Sequence, residues 1–205
     1  MMADESRANE RKPEPLLLVR GKRAGLGALR RELIPTYHRW RNDAEVMRGL
    51  GKTDVDTIEA VQAWYDRAAS SDAREVNFTV YDLTDLTPIG TTLLVRIDHH
   101  QGTAEFGILI GERRNQGLGT EATQLTLDWA FTVLGLHNIL LVTFSWNMAA
   151  LRAYQKAGFR EIGRRRGAVV TFGRRFDQVL MDATANEFTG SVLSEQAPPE
   201  DPHLF

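Results

Sequence analysis

The feature that most constrains this chain lies in its middle. An apolar run, Phe106-Gly107-Ile108-Leu109-Ile110-Gly111, leads into Arg114-Asn115-Gln116-Gly117-Leu118-Gly119. Thr120-Glu121-Ala122 and an apolar-periodic stretch follow at once. That order reads as strand, glycine-rich turn, helix. Glycines tolerate φ > 0 and let the backbone approach a ligand. The N–H groups of a first helical turn have no partner within the helix and point at any anion placed there. The segment implies an α/β fold with a phosphorylated ligand at the turn. The plainer reading is a tight strand-to-helix turn with no ligand.

Two common phosphate loops are excluded by the residues themselves. A P-loop needs Lys-Ser or Lys-Thr after its second glycine, and here Thr120-Glu121 follows. A dinucleotide fingerprint needs three glycines in the first βα unit of a parallel sheet, and this loop sits mid-chain without the third.

The remaining sequence bounds the class. With 205 residues, 42% hydrophobic and 25% charged, the chain suits one compact domain with a sizeable core. A formal charge of −2 gives no basic footprint for nucleic acid. Cysteine is absent, which excludes disulfides, a thiolate zinc site and a cysteine nucleophile. No apolar run approaches a membrane span, and the polar N-terminus has no secretory apolar region, so a cytoplasmic enzyme is expected. Residues 1–14 and 186–205 read as tails around a domain at 15–185. The C-terminal one is acidic, contains prolines and lacks the apolar content that offsets ordering entropy.

Periodicity lays out the domain. Leu16 to Val19 and Ala24 to Leu29 read as strands, and Pro35 to Arg48 as one helix ended by Gly49 and Gly51. A second helix is expected from an Asp54 or Asp56 N-cap to about Ala69, with Val61, Trp64 and Ala68 on one face. Strands follow at Asn77 to Asp82, Pro88 to Ile97 and Thr103 to Ile110, with a turn at His99-His100-Gln101-Gly102. The helix after the loop places Ala122, Leu125, Trp129 and Val133 on one stripe, and Gly135 fits its C′ position. Ile139 to Ser145 reads as a buried strand. A mixed sheet with flanking helices is the natural architecture.

Four segments in order carry a resemblance. The loop matches Arg/Gln-x-x-Gly-x-Gly/Ala. Downstream, Asn147-Met148-Ala149-Ala150-Leu151-Arg152-Ala153-Tyr154-Gln155-Lys156-Ala157-Gly158-Phe159 matches Asn-x-x-small-x-x-x-Tyr-x-x-x-Gly-Phe. Upstream stands Trp40-Arg41-Asn42-Asp43-Ala44-Glu45-Val46, and near the end Phe176-Asp177-Gln178-Val179-Leu180-Met181. Together they resemble the GNAT N-acetyltransferase superfamily from about Leu16 to Met181. The first and last look like its ribosomal-protein N-terminal acetyltransferase-like (RimJ/RimL-type) subgroup.

The resemblance implies a single GNAT-type domain: a mixed, mostly antiparallel central sheet flanked by helices, with splayed strands holding acyl-CoA. It implies acetyl transfer from acetyl-CoA to a primary amine by direct attack. The expected pyrophosphate cradle is Arg114, Asn115, Gln116, Gly117, Leu118, Gly119 and Thr120. Arg114 either adds charge to the ligand or serves the loop itself. Ile108, Leu109 and Ile110 are expected to line the pantetheine arm through their backbone, as an added strand would be lined. Asn147 has two readings, a hydrogen bond to that arm or an N-cap. Tyr154 either protonates the departing thiolate or is a core tyrosine. Glu105 is the candidate base, or else an exposed strand carboxylate.

How much a base matters depends on the acceptor. An α-amine with a pKa of about 7.7–8.0 is partly neutral near pH 7.5, and a lysine amine near 10.4 is not. His99 and His100 read as turn residues, and no third ligand makes them a metal site. Arg164-Arg165-Arg166 and Arg174-Arg175 form either a solvated hairpin or a patch that attracts an acidic acceptor or the cofactor's 3′-phosphate. The acceptor is expected to be a small-molecule amine. The alternatives are a protein N-terminus of the ribosomal type and, from another class, a non-catalytic acyl-CoA-binding sensor. Relatives often dimerise, so a homodimer is an expectation.

Overall fold

The computed structural model describes residues 14–70, 74–171, 173–190, 192–193 and 195. The expected tail at 1–13 and the end of the other at 196–205 lie outside them. The elements in order are β1 (Leu17–Arg20), β2 (Ala24–Gly27), α1 (Ile34–Arg41), α2 (Ala44–Leu50), α3 (Ile58–Ala68), β3 (Glu75–Asp82), β4 (Thr87–Asp98) and β5 (Thr103–Ile110). Then come α4 (Leu118–Asp128), β6 (Asn138–Phe144), α5 (Met148–Ala157), β7 (Arg160–Thr171) and β8 (Arg174–Thr184). The strands form one sheet in the order β1-β2-β3-β4-β5-β6-β8-β7. Every neighbouring pair is antiparallel except β5–β6. The mixed, mostly antiparallel sheet flanked by helices is as expected.

Side chains alternate along β5 and so serve two cores. Phe106 packs with Leu127, Leu151, Phe159 and the half-buried Tyr154, whereas Leu109 joins Tyr37, Trp40, Val46 and Val61 on the other face. α4 and α5 therefore cover one face of the centre, and α1, α2 and α3 cover the other.

Three helix expectations need correction. The single helix expected over 35–48 is two, because Asp43 breaks it. Its backbone is extended (φ −67, ψ 128) and its carboxylate accepts from Glu45 and Val46 N–H, an N-cap that starts a new helix. Asn42 reinforces the break by bonding His38 O and both backbone groups of Asp56. α2 ends at Gly51 with φ +63, where a Cβ would lie 2.7 Å from the Phe144 ring.

The second helix is capped by Thr57, not Asp54 or Asp56. Asp56 is committed to Arg41 and Lys52, which hold its carboxyl below the usual range against the opposing effect of burial. The stripe on α4 fails at its last member. The chain widens to a π-helical turn over Trp129–Val133, which rotates Val133 outward to 50% exposure.

Past β8 the chain stays packed. Phe188 lies on Phe131 with ring centroids 5.4 Å apart. The N–H groups of Val192 and Leu193 donate to the buried Asp128 carboxylate on α4 at 2.6 and 2.8 Å. The stretch expected to be a free tail from 186 therefore begins as a strap on α4.

Candidate active site

The one parallel pairing is also the one that fails early. β5 and β6 pair through Thr103, Ala104 and Glu105 with Asn138, Ile139 and Leu140, and then part. Ile108, Leu109 and Ile110 keep their partners on β4, and Leu141 to Phe144 keep theirs on β8. A wedge opens between them, and past Glu105 the edge of β5 facing it has no strand partner among the described residues. A cavity of about 460 Å³ opens along the β5 side of this wedge, lined by β5, the loop to α4, α5 and one side of α2.

The glycine-rich loop closes one end. Arg113, Asn115 and Gly117 have φ of +50, +62 and +85, while Arg114 and Gln116 are not in that region. Alternation of this kind turns successive N–H groups inward and makes an anion-binding concavity. Glu121 N is the first amide to bond back into α4, to Gly117 O at 3.1 Å. Among the described residues, the N–H groups of Leu118, Gly119 and Thr120 have no partner at the positive end of the helix. Gly119 has a second reason to lack a side chain, since a Cβ there would lie 3.2 Å from Ile110 Cγ1. These donors fit a pyrophosphate, and the unpaired edge of β5 fits an amide-bearing arm.

Arg114 serves the loop. Its guanidinium donates to Ile110 O and Gly111 O, and pairs with Asp43 and Glu45 at 2.8 and 2.7 Å. The cation is consumed in tying the loop to the start of α2. Arg23 adds a bond to Gln116 O at 3.0 Å. Arg113 is held by Asp82 and Asp85, which raise its pKa further; the Asp82 carboxyl is lowered by its hydrogen bonds from Thr84 and then by Arg113, and Asp85 is lowered by Arg113 to about 2. Sequence reasoning missed the part of α2. Its one signal was Asp43 and Glu45 within an upstream segment whose partner was unnamed.

α2 is tied at its other end too. Asn147 caps α5 by accepting from Ala150 N–H at 3.2 Å, and its Nδ2 donates to Gly49 O at 3.2 Å. The cap reading of Asn147 holds in this structure, and its amide also reaches α2. Trp146 Nε1 donates to Arg48 O at 3.1 Å. α2 bridges the mouth of the wedge from the β5 lip to the β6 lip.

Of the expected residues, Ile108, Leu109, Ile110, Arg114, Asn115, Gly117, Gly119, Thr120, Asn147 and Tyr154 line the cavity. Leu118 instead fills the core and offers only its backbone, and Gln116 is exposed. Arg152 and Lys156 on α5 also line the cavity and were not foreseen. They stand on the exposed side of a helix whose apolar face was the signal read.

Tyr154 lies edge-on to Phe106 and Phe159, and its hydroxyl has no partner among the described residues. Burial pushes its pKa up to about 12. Glu105 is not in the lining. Its carboxylate pairs with Arg96 on β4, on the opposite face of β5 from Phe106 and Tyr154. The two expected catalytic groups are not in contact. Among the described residues no group of His, Asp and Glu is arranged to hold a metal ion.

Comparison with known proteins agrees with this geometry. The acetyltransferase (GNAT) domain profile matches residues 23–160. The spermidine N(1)-acetyltransferase of Escherichia coli K12 is 34% identical over 135 residues, 65% of this chain and 71% of that one. The Vibrio cholerae enzyme of the same name is 29% identical over 139 residues, 67% and 79% of the two chains. The crystal structure of spermidine N-acetyltransferase from Vibrio cholerae with CoA and spermine superposes with a TM-score of 0.75 at 26% identity. It covers 82% of this chain and 99% of that one.

The resemblance to the ribosomal-protein subgroup is not supported, because the similarity runs to the spermidine enzymes instead. The upstream and closing segments that suggested it lie on α1–α2 and β8 and serve the shared fold. With its glycine-rich loop, its splayed strands and this profile match, the chain belongs to the GNAT acetyltransferase family and is an acetyl-CoA-dependent N-acetyltransferase.

Proposed function

We propose that the chain acetylates a primary amine of a small molecule by direct attack. The observation that carries this is the wedge, which opens an amide-bearing channel between the anion-binding loop and Tyr154. Acetyl-CoA supplies the thioester carbonyl. The amine forms the new C–N bond, the C–S bond breaks, the amine loses a proton and the thiolate gains one. The protein mainly positions the reactants, a contribution of up to about 7–11 kcal/mol for well-oriented groups.

The backbone of the loop and the edge of β5 hold one reactant in register. Tyr154, with its pKa near 12, keeps its proton at neutral pH. An ordinary thiol has a pKa of about 8.5. The hydroxyl therefore serves as a hydrogen-bond donor to sulfur as charge develops there, and the proton that finally neutralises the thiolate comes from the medium. Glu105 has the weaker part. Tied to Arg96 and outside the cavity, it acts on the amine only through water. This favours an acceptor whose amine is already partly neutral. Homodimerisation is proposed on family resemblance alone and is read by light scattering.

Spermidine, named for the relatives above, is the reference acceptor. The test is isothermal titration with acetyl-CoA, with ATP and NAD as controls, followed by thiol release with an amine panel. Selective micromolar binding and amine-dependent release are expected. Binding without release on any amine would instead favour a cofactor-sensing module. No binding across a panel of acyl-CoAs would end the transferase reading.

A further inference from the structure

The cavity holds more positive charge than its loop consumes. Arg113, Arg114, Arg152 and Lys156 all line it. The two loop arginines are neutralised, Arg113 by Asp82 and Asp85 and Arg114 by Asp43 and Glu45. Arg152 and Lys156 on α5 are exposed, and their side chains have no partner among the described residues. Glu45 also lines the cavity, but it is the carboxylate that faces Arg114.

The two unpaired cations stand together. Residues four apart on a helix are neighbours, and like charges so placed destabilise it. Lys156 lies in the last turn of α5, where the negative end of the helix dipole favours it. Arg152 is a turn earlier and lacks that support. An anion held between them relieves the repulsion.

α5 delivers this pair beside the anion loop. Gln124 on α4 donates from Nε2 to Lys156 O at 3.3 Å. Gln124 stands four residues past Thr120, on the same side of α4 and about 6 Å along it. The concavity of the loop and the unpartnered amides of Leu118, Gly119 and Thr120 suit the two bridged phosphoryl groups of a pyrophosphate. The α5 cations stand on a different element and are matched by a further anion. Coenzyme A carries one, a phosphomonoester on the 3′ oxygen of the ribose that bears the pyrophosphate. Such a group holds a charge of about −1.5 to −2 at pH 7. The arginines at 164–166 and 174–175, the sequence's other candidates for this group, do not line the cavity.

We infer that Arg152 and Lys156 form a second anion subsite that takes the 3′-phosphate of coenzyme A, so that the chain selects coenzyme A over its 3′-dephospho form. The inference rests on the cofactor assignment above and extends it to two residues outside the glycine-rich loop.

Calorimetric titration at low salt and neutral pH would compare coenzyme A with 3′-dephospho-coenzyme A. The parent protein should bind coenzyme A about tenfold tighter or more, as charge-assisted contacts to two cations imply. Arg152→Ala and Lys156→Ala should each reduce that preference, and Arg152→Lys should keep part of it. The double alanine variant should bind the two ligands equally, with its affinity for the dephospho form unchanged, which also shows that it is folded. A double variant that bound neither ligand would leave the two single variants to decide by the same comparison. Lowering the pH through about 6, where a phosphomonoester takes up a proton, should shrink the preference of the parent protein. Arg166→Ala, an exposed hairpin position outside the cavity, should leave it intact. Equal affinities in the parent protein, a preference that survives in the double variant, or one lost in Arg166→Ala would overturn the inference and leave the cofactor assignment standing. A folded parent protein that bound neither ligand would overturn both.

Discussion

The left-handed turn at Gly117 offers a test with a calculable size. Gly117 has φ +85, and a Cβ built there would meet nothing within 4 Å. Gly117→Ala therefore adds no clash, and its cost is the backbone penalty of holding an L-residue in that region, about 1–2 kcal/mol. That energy has two places to go. If the loop keeps its shape, folding stability falls by the full amount. If the loop relaxes, stability is kept and the anion-binding concavity is lost in the free protein. The binding constant then weakens by about 5- to 30-fold, at tenfold per 1.4 kcal/mol.

Calorimetric titration with coenzyme A and urea unfolding of the same preparation read both terms, and their sum should come to about 1–2 kcal/mol. Gly163→Ala is the control. That residue lies on β7 with open space around its Cβ position and no positive φ, so coenzyme A affinity should not move and stability should rise by about 0.4–1 kcal/mol, if it moves at all. A Gly117→Ala protein with unaltered affinity and unaltered stability would refute the claim that this turn needs glycine. Gly119→Ala is a poorer probe, because contact with Ile110 mixes packing into the result.

Further outcomes follow from other parts of the site. Tyr154→Phe should lower kcat by about 10- to 100-fold, the loss of one hydrogen bond to a developing charge worth about 1.5–3 kcal/mol, with coenzyme A affinity unchanged in titration. Equal turnover would reduce Tyr154 to a packing residue. Tyr37 and Tyr154 both have pKa values raised by burial to about 12, against an ordinary value near 10. The folded state thus favours their neutral forms. This contribution is fully present below pH 10 and lost as pH rises toward 12, so urea midpoints should fall across that window and Tyr37→Phe should flatten the fall. Asp43→Ala removes the α2 cap and one partner of Arg114, and should cost about 0.5–2 kcal/mol in stability while weakening coenzyme A binding. Asp128→Ala should release the strap formed by Phe188, Val192 and Leu193, seen as faster amide exchange at Val192 and Leu193. Unchanged protection there would remove the strap from the account.

The sequence was informative where local rules act alone. The strand Thr103–Ile110, the turn at 99–102, the loop and α5 with its Asn147 cap and Gly158 end are all set by periodicity and end residues within a few positions. It was less informative where a distant partner decides. The split of α1 from α2 depends on Asn42 holding the backbone of Asp56, and the fate of Arg114 depends on carboxylates some 70 positions earlier. The π-helical turn after Asp128 does not show in a 3.6-residue pattern until the pattern fails at Val133. Glu105 could be located on its strand by alternation, but its pairing with Arg96 follows from the register of β4 on β5, with an irregularity between Val95 and Asp98. The stretch after 186 looked polar because its few apolar residues sit among Ser, Thr and Gly, yet Phe188 and the amides of Val192 and Leu193 on Asp128 pack against α4 and its continuation.

The short β5–β6 pairing also has a mechanical meaning. Among the described residues, three residue pairs join a five-stranded half of the sheet to a three-stranded half. The two halves thus meet at a compliant seam, braced from outside by α2 and by α4 against α5. A molecule that bonds along the open edge of β5 stiffens this seam and couples both halves into one unfolding unit. The stabilisation it gives is set by its affinity and concentration, and what marks its place is that the seam's amides, on β5 past Glu105, should show the largest gain in exchange protection.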